Sequence, residues 1–210
     1  MRVKICGITN IEDALLCCDL GADALGFVFY EKSGRNIGVN AAGEIINKLP
    51  AFITKVGVFV EQLPVEIRSI AGNIGLNAVQ LHDTYTETNF IDFPVQIIKV
   101  LRIKAGFDFS AIQGNKFQYL LDSYSENMPG GTGEKFNWEL IPESIKRKII
   151  LAGGISVNNI KHVFENIKPQ AVDLSSSLES APGRKDKDKL IEFFNVVNGL
   201  RYRDSSLRYE

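Results

Sequence analysis

The chain is short of cysteine, of charge imbalance and of long apolar runs. Three cysteines, Cys6, Cys17 and Cys18, stand among 210 residues, an odd number with two of them adjacent. That count and spacing exclude a disulfide framework and, with no signal-peptide pattern at the start, lead us to expect a reducing, cytoplasmic setting. Twenty-four Lys and Arg stand against 25 Asp and Glu, for a net charge of −1. No field of one sign is available to draw in nucleic acid or an anionic membrane. The short cluster Lys146-Arg147-Lys148 runs straight into an apolar segment and reads as a solvated strand entry. No apolar stretch approaches the ~18 residues of a membrane span. Neither GxGxxG nor a P-loop is present; Gly130-Gly131-Thr132-Gly133-Glu134-Lys135 has the wrong spacing.

What the sequence does contain is a repeat of short apolar runs. Eight of them, Val3–Cys6, Ala24–Phe29, Lys55–Val60, Asn77–Leu81, Gln96–Ile103, Tyr119–Asp122, Lys148–Ala152 and Ala171–Leu174, begin about 20 to 30 residues apart, roughly one strand–loop–helix–loop unit. Several show no polar alternation, as parallel strands covered on both faces do. Helical periodicity fills most gaps: Asn10 is placed to cap Ile11, Ala14, Leu15 and Cys18, with Gly21 as the stop; Asn40 precedes Ala41, Ile45, Ile46 and Leu49; Pro64 opens a stripe of Ile67, Ile70, Ala71 and Ile74; Ser156 precedes Ile160, Val163, Phe164 and Ile167; Leu190, Ile191, Phe194 and Val197 follow the eighth strand. Residues 86–93 and 108–114 hold one or two turns at most. The expected fold is α/β, a single-domain (β/α)₈ TIM barrel over residues 1–200, with the helices after strands four and five short or absent, and a polar, frayed C-terminal tail at 201–210. An open doubly wound sheet is the competing architecture, but it needs no eighth unit.

Barrel enzymes carry their chemistry at the carboxyl ends of the strands. Those ends here are Cys6, the segment Phe29 to Arg35, His82, Arg102, Asp122, Gly153-Gly154 and Asp173 to Ser177. The loops after strands seven and eight, Ala152-Gly153-Gly154-Ile155-Ser156 and Asp173-Leu174-Ser175-Ser176-Ser177, match the barrel's usual phosphate site, where backbone N–H groups and small hydroxyls cradle an anion. They also read as plain turns. Cys6 alone is a small buried hydrophobe as readily as a reactive thiol. Asp122 closes Tyr119-Leu120-Leu121, where an aspartate facing a barrel mouth needs a reason. A thiol with its pKa lowered and a carboxyl with its pKa raised would make a base and an acid on one rim.

These residues fall in blocks that resemble the phosphoribosylanthranilate isomerase family: Lys4-Ile5-Cys6-Gly7-Ile8-Thr9; Gly21-Ala22-Asp23-Ala24-Leu25-Gly26-Phe27-Val28-Phe29 with Ser33 and Arg35; Val56-Gly57-Val58-Phe59; Val79-Gln80-Leu81-His82; Leu121-Asp122; Gly130-Gly131-Thr132-Gly133 with Phe136-Asn137-Trp138; Leu151-Ala152-Gly153-Gly154-Ile155; and Asp173-Leu174-Ser175-Ser176 with Glu179, Pro182-Gly183 and Lys185-Asp186. The resemblance implies an Amadori rearrangement of N-(5-phosphoribosyl)anthranilate in tryptophan biosynthesis, with no cofactor and no metal. It makes Cys6 the general base, Asp122 the general acid and Arg35 the ligand of the anthranilate carboxylate. Gly153, Gly154, Ser175 and Ser176 then hold the phosphate, and Asp173 meets a sugar hydroxyl or braces the barrel. His82 is expected to be a packed barrel residue, His162 a solvated helix residue, and 128–136 a cover over the site. Three positions depart from the family pattern: Ser177 and Asp83 where glycine is usual, and Gly34 where proline is usual. The alternatives are another phosphate-binding barrel isomerase or lyase, whose rim would carry lysine, glutamate or paired aspartates, and a non-catalytic metabolite-binding barrel. The partner is a small phosphorylated molecule, not nucleic acid or membrane, and the apolar helix faces fit a monomer or a homodimer.

Overall fold

The computed structural model describes residues 1–82, 85, 90, 92–104, 106–112, 117–123 and 136–206. Eight parallel strands close into one barrel in sequence order. They are β1 (Arg2–Cys6), β2 (Ala24–Val28), β3 (Thr54–Phe59), β4 (Ala78–Leu81), β5 (Gln96–Ile103), β6 (Gln118–Ser123), β7 (Ile149–Leu151) and β8 (Ala171–Leu174). Closure is made by β1 against β8, with Lys4 opposite Asp173 and Ile5 opposite Leu174. Every run expected to be a strand is one, and the open-sheet alternative is excluded.

Period-two alternation divides the residues between two cores. Val56, Ala78, Ile98, Val100, Leu120 and Ala152 fill the barrel interior. Their strand neighbours, Ile5, Leu25, Phe27, Val79, Leu121 and Val172, point outward into the shell of helices. Burial on both faces explains why the runs lack polar alternation.

The helices are α1 (Ile11–Leu20), α2 (Val39–Ile46), α3 (Pro64–Asn73), α4 (Glu143–Lys146), α5 (Ile160–His162, continued by a π turn over Val163–Ile167) and α6 (Lys187–Ser206). Asn10 caps α1 by accepting from Asp13 N–H at 2.8 Å, and Gly21 ends it at φ 107°. Its buried face is Ala14 and Cys17, whereas Leu15 is exposed. That corrects the expected stripe by one residue. The residue before α5 is Asn159, not Ser156. Ser156 donates its N–H to Asn159 Oδ1 at 3.0 Å, and its carbonyl receives the Asn159 and Ile160 N–H groups. No α-helix separates β4, β5 and β6 among the described residues; a 3₁₀ turn at Phe109–Ile112 stands between β5 and β6. The unit after β6 is also reduced, to a 3₁₀ turn at Trp138–Leu140 and the four-residue α4. A short hairpin, β9 (Glu179–Ala181) with β10 (Arg184–Lys185), follows β8 on the mouth side.

The expected tail begins too early. Helix α6 continues past residue 200 to Ser206 because Arg201 is anchored. Its guanidinium donates to Met1 O at 3.3 Å, to Gly21 O at 2.9 Å and to Asp23 Oδ2. Asp23 in turn accepts the Val3 N–H at 2.7 Å. The anchor joins α6 to the strand openings of β1 and β2. Replacing Arg201 with Ala should cost about 1–2 kcal/mol, since the charged hydrogen bonds are partly solvated. A urea titration measures it; an unchanged midpoint would show the anchor to be idle.

Candidate active site

The carboxyl ends of the strands surround a cavity of about 660 Å³. Cys6, Arg35, His82, Asp122, Gly153, Gly154, Asp173, Ser175 and Ser176 all line it. The residues given binding or catalytic roles from the sequence are thus brought together on one mouth, drawn from six different strands or the loops after them; the strand end Arg102 is not part of the lining.

Cys6 ends β1 and faces inward beside Gly26 of β2. A Cβ at Gly26 would lie 2.8 Å from Cys6 Sγ and 3.1 Å from Lys4 Cε, so glycine at that position makes room for both side chains. Asp122 is the penultimate residue of β6, three strands round the ring from β1, and is 8% exposed. Its Oδ1 accepts the Ser123 N–H at 2.8 Å. Burial raises its pKa to about 6, with Asp173 adding to the effect and Arg102 and Lys4 opposing it. The expectation for the carboxyl therefore holds. The expectation for the thiol does not: burial pushes Cys6 up from the ordinary thiol range. Lys4 and Lys185 pull it down, but desolvation outweighs them.

Beneath the mouth lies a polar layer that sequence reading missed. Lys4, two residues before Cys6, points into the barrel and is 3% exposed. Its ammonium donates to Asp173 Oδ2 at 2.8 Å and to Gln80 Oε1 at 3.0 Å. Asp173 is held there by its ion pair with Lys4, while its Oδ1 is buried and has no hydrogen-bond partner among the described residues. The signal was present: a lysine inside the apolar run Val3–Cys6, on the same face as the cysteine.

The hairpin β9–β10 supplies a second missed group. Glu179 receives Arg35 Nε at 3.0 Å on both oxygens and Arg35 Nη2 at 2.7 Å on Oε2. It also receives Lys185 Nζ at 2.8 Å. Lys185 donates further to the Cys6 carbonyl at 2.6 Å, and Ser175 Oγ donates to the same carbonyl at 3.0 Å. One buried carboxylate therefore ties the arginine after β2, the loop after β8 and the backbone of Cys6 together. Its two cations leave the cluster with a net charge of +1. The Arg35 fork is half committed: among the described residues only Nε and Nη2 have an acceptor, which leaves Nη1 for another.

At the phosphate loops, Gly153 and Gly154 have φ of 80° and 68°. A Cβ on Gly153 would stand 2.4 Å from Ser123 Oγ and 2.9 Å from Asp122 Oδ1, so glycine is required there for the acid's own space. Ser176 opens a 3₁₀ turn, Ser176–Leu178, on the cavity. Among the described residues, the N–H groups of Gly153, Gly154, Ser176 and Ser177 have no acceptor. Ser177 has no left-handed backbone, so a serine fits where glycine is usual. Gly34 packs near Pro182 of the hairpin turn. Asp83, the glycine-rich block at 130–133 and all of the expected cover except Phe136 lie outside the described residues. His82 is 7% exposed, and burial with Arg102 and Lys4 nearby lowers its pKa to about 4, which leaves it a neutral residue of the cavity wall. His162 is surface-exposed and pairs with Glu139 at 3.0 Å.

The family model for N-(5′-phosphoribosyl)anthranilate (PRA) isomerase matches residues 3–196. The chain belongs to the phosphoribosylanthranilate isomerase family. A family relative, the N-(5′-phosphoribosyl)anthranilate isomerase of Pseudomonas savastanoi pv. phaseolicola, is 42% identical over 202 residues, covering 95% of this chain and 98% of its own. The solved phosphoribosylanthranilate isomerase of Thermotoga maritima superposes with a TM-score of 0.86 at 39% identity, over 95% of this chain and 99% of that one. Another family structure, solved in complex with reduced 1-(o-carboxyphenylamino)-1-deoxyribulose 5-phosphate, gives a TM-score of 0.83 at 38% identity, with the same coverage.

Proposed function

We propose that this protein is an isomerase of tryptophan biosynthesis that converts N-(5-phosphoribosyl)anthranilate to 1-(2-carboxyphenylamino)-1-deoxyribulose 5-phosphate. The observation that carries the reading is the pairing, on one phosphate-type barrel mouth, of a buried carboxyl titrating at about 6 with an inward-facing thiol. In this reading the phosphate seats on the free N–H groups of Gly153, Gly154 and Ser176, with small hydroxyls beside them. Ser175 contributes its place in the loop more than its proton, which the Cys6 carbonyl already takes. The anthranilate carboxylate takes Arg35 Nη1 and the surplus positive charge of the Arg35–Glu179–Lys185 cluster. The free Oδ1 of Asp173 accepts a sugar hydroxyl, ending its isolation.

Asp122 in its protonated form gives its proton to the furanose ring oxygen. The C1–O bond breaks, and the anilino nitrogen lone pair forms a C1=N iminium. Cys6 as thiolate removes the proton from C2, and those electrons neutralise the iminium to give the enolamine. Protonation at C1 and loss of the C2 hydroxyl proton then give the ketone. The iminium is the electron sink. Its charge also stabilises a nearby thiolate, which helps offset the burial that raises Cys6.

Adding the purified protein to chemically made phosphoribosylanthranilate should extinguish the substrate's fluorescence with saturable kinetics. No turnover would reject the assignment in favour of another phosphate-binding barrel. Arg35→Ala should raise KM about tenfold or more with a smaller change in kcat, the pattern for loss of one charged contact. An unchanged KM would remove Arg35 from carboxylate binding.

A further inference from the structure

A base that must be ionised sits in a site whose burial opposes ionisation, and the barrel places one cation directly behind it. Lys4 and Cys6 lie on the same inward face of β1, two residues apart, and lean over the same gap left by Gly26. The ammonium is sealed from water and is not free to swing: Asp173 on β8 and Gln80 on β4 hold it at 2.8 and 3.0 Å. A lysine in a barrel interior is costly to desolvate, and an apolar residue would fill the same space more cheaply. Asp173 does not cancel it fully as seen from the sulfur, since the Lys4 attraction on a Cys6 thiolate exceeds the Asp173 repulsion.

We propose that Lys4 is a positioning residue for the proton-abstracting thiol: its ammonium, held in the barrel interior by Asp173 and Gln80, stabilises the sulfur anion that takes the substrate's C2 proton. The proposal rests on the assignment of Cys6 as base given above. The other charges facing Cys6 fall into two groups. On the hairpin side, Lys185 assists, but its charge is shared with Glu179, which also holds Arg35. Across the mouth stand Asp122 on β6 and Arg102 on β5, with His82 neutral after β4. Lys4 is thus the cation whose charge bears most directly on the thiolate.

The test is read first without substrate. The pH dependence of iodoacetamide alkylation is followed at residue 6 by peptide mass, which separates Cys6 from Cys17 and Cys18. In folded Lys4→Met protein the alkylation midpoint should move up by about one unit or more, slowing the reaction about tenfold at pH 8. Lys4→Arg should restore part of the shift. With substrate, Lys4→Met should lower kcat about tenfold while KM changes little, and the loss should shrink at high pH. An unmoved alkylation midpoint in Lys4→Met would overturn the proposal even if turnover fell, because a merely structural lysine would not touch the thiol's titration. Lys4→Met leaves Asp173 buried without its partner, so Lys4→Met/Asp173→Asn serves as the second variant, with no buried charge orphaned. It should show an upward midpoint smaller than that of Lys4→Met, because the Asp173 repulsion is lost with the Lys4 attraction, and a wild-type midpoint there overturns the idea equally. Absence of wild-type turnover with phosphoribosylanthranilate would instead sink the functional assignment, while the alkylation series still decides what Lys4 does to Cys6.

Discussion

Replacing Asp122 with Asn should lower kcat by about 10²–10⁴, the usual worth of a positioned general acid, while the protein remains folded. The same substitution should stabilise the protein above pH 6. Burial lifts the carboxyl from its ordinary 3.8 to about 6. The folded protein therefore keeps a proton that the unfolded chain releases between those values. The stability this contributes is fully present below about pH 4 and is lost as pH rises through 6, where the buried group ionises. Above that point the native protein carries a cost on the order of 2–3 kcal/mol that Asn does not. Urea titrations at about pH 4 and at pH 8 should show Asp122→Asn ahead of wild type only at the higher pH. Equal ranking at both would mean that the carboxyl is not held protonated by its surroundings.

The pH–rate profile carries the same signature. The active state needs Asp122 protonated and Cys6 ionised, yet their pKa values stand in the reverse order, about 6 for the acid and above the thiol range for the base. For wild type, kcat/KM should fall below about pH 6, stay level to the thiol's pKa, and fall again above it. In Asp122→Asn the bend near 6 should vanish, and the residual rate should climb with pH as the thiolate forms. A bend that survived would belong to another group.

Cys6→Ala is the second large effect: kcat should drop by about 10²–10⁴ with KM nearly unchanged, because the thiol acts on a proton and binds little of the substrate. Loss of one small side chain over the Gly26 gap should leave thermal unfolding within about 1 kcal/mol of wild type. Cys6→Ser should recover little, since a hydroxyl is far harder to ionise than a thiol. Near-normal turnover in Cys6→Ala would take residue 6 out of the reaction and leave the C2 proton to another group lining the cavity.

Much of this was legible in the chain itself. Apolar runs such as Ile97-Ile98-Lys99-Val100-Leu101 and their near-regular spacing could satisfy backbone and side chains only in a parallel sheet covered twice, so eight units meant a closed barrel. Once the barrel was in hand, the strand ends pointed to Cys6, Asp122 and the two small-residue loops. What was not legible is pairing across the ring. Lys4 with Asp173, and Glu179 with Arg35 and Lys185, are separated by up to 169 residues and meet only because β8 closes on β1 and the β9–β10 hairpin folds over the mouth. The anchor at Arg201 was hidden for the same reason: its partners lie at the other end of the chain.

Local sequence determined which segments are strands, where most helices start, and which residue types stand at the strand ends, because those depend on periodicity and caps within a few residues. Only the tertiary structure decided the charge state of the groups at the mouth. Burial depends on what the ring closes around: it raised Asp122 as the chemistry needs, raised Cys6 against it, and set a lysine from the barrel interior behind the sulfur.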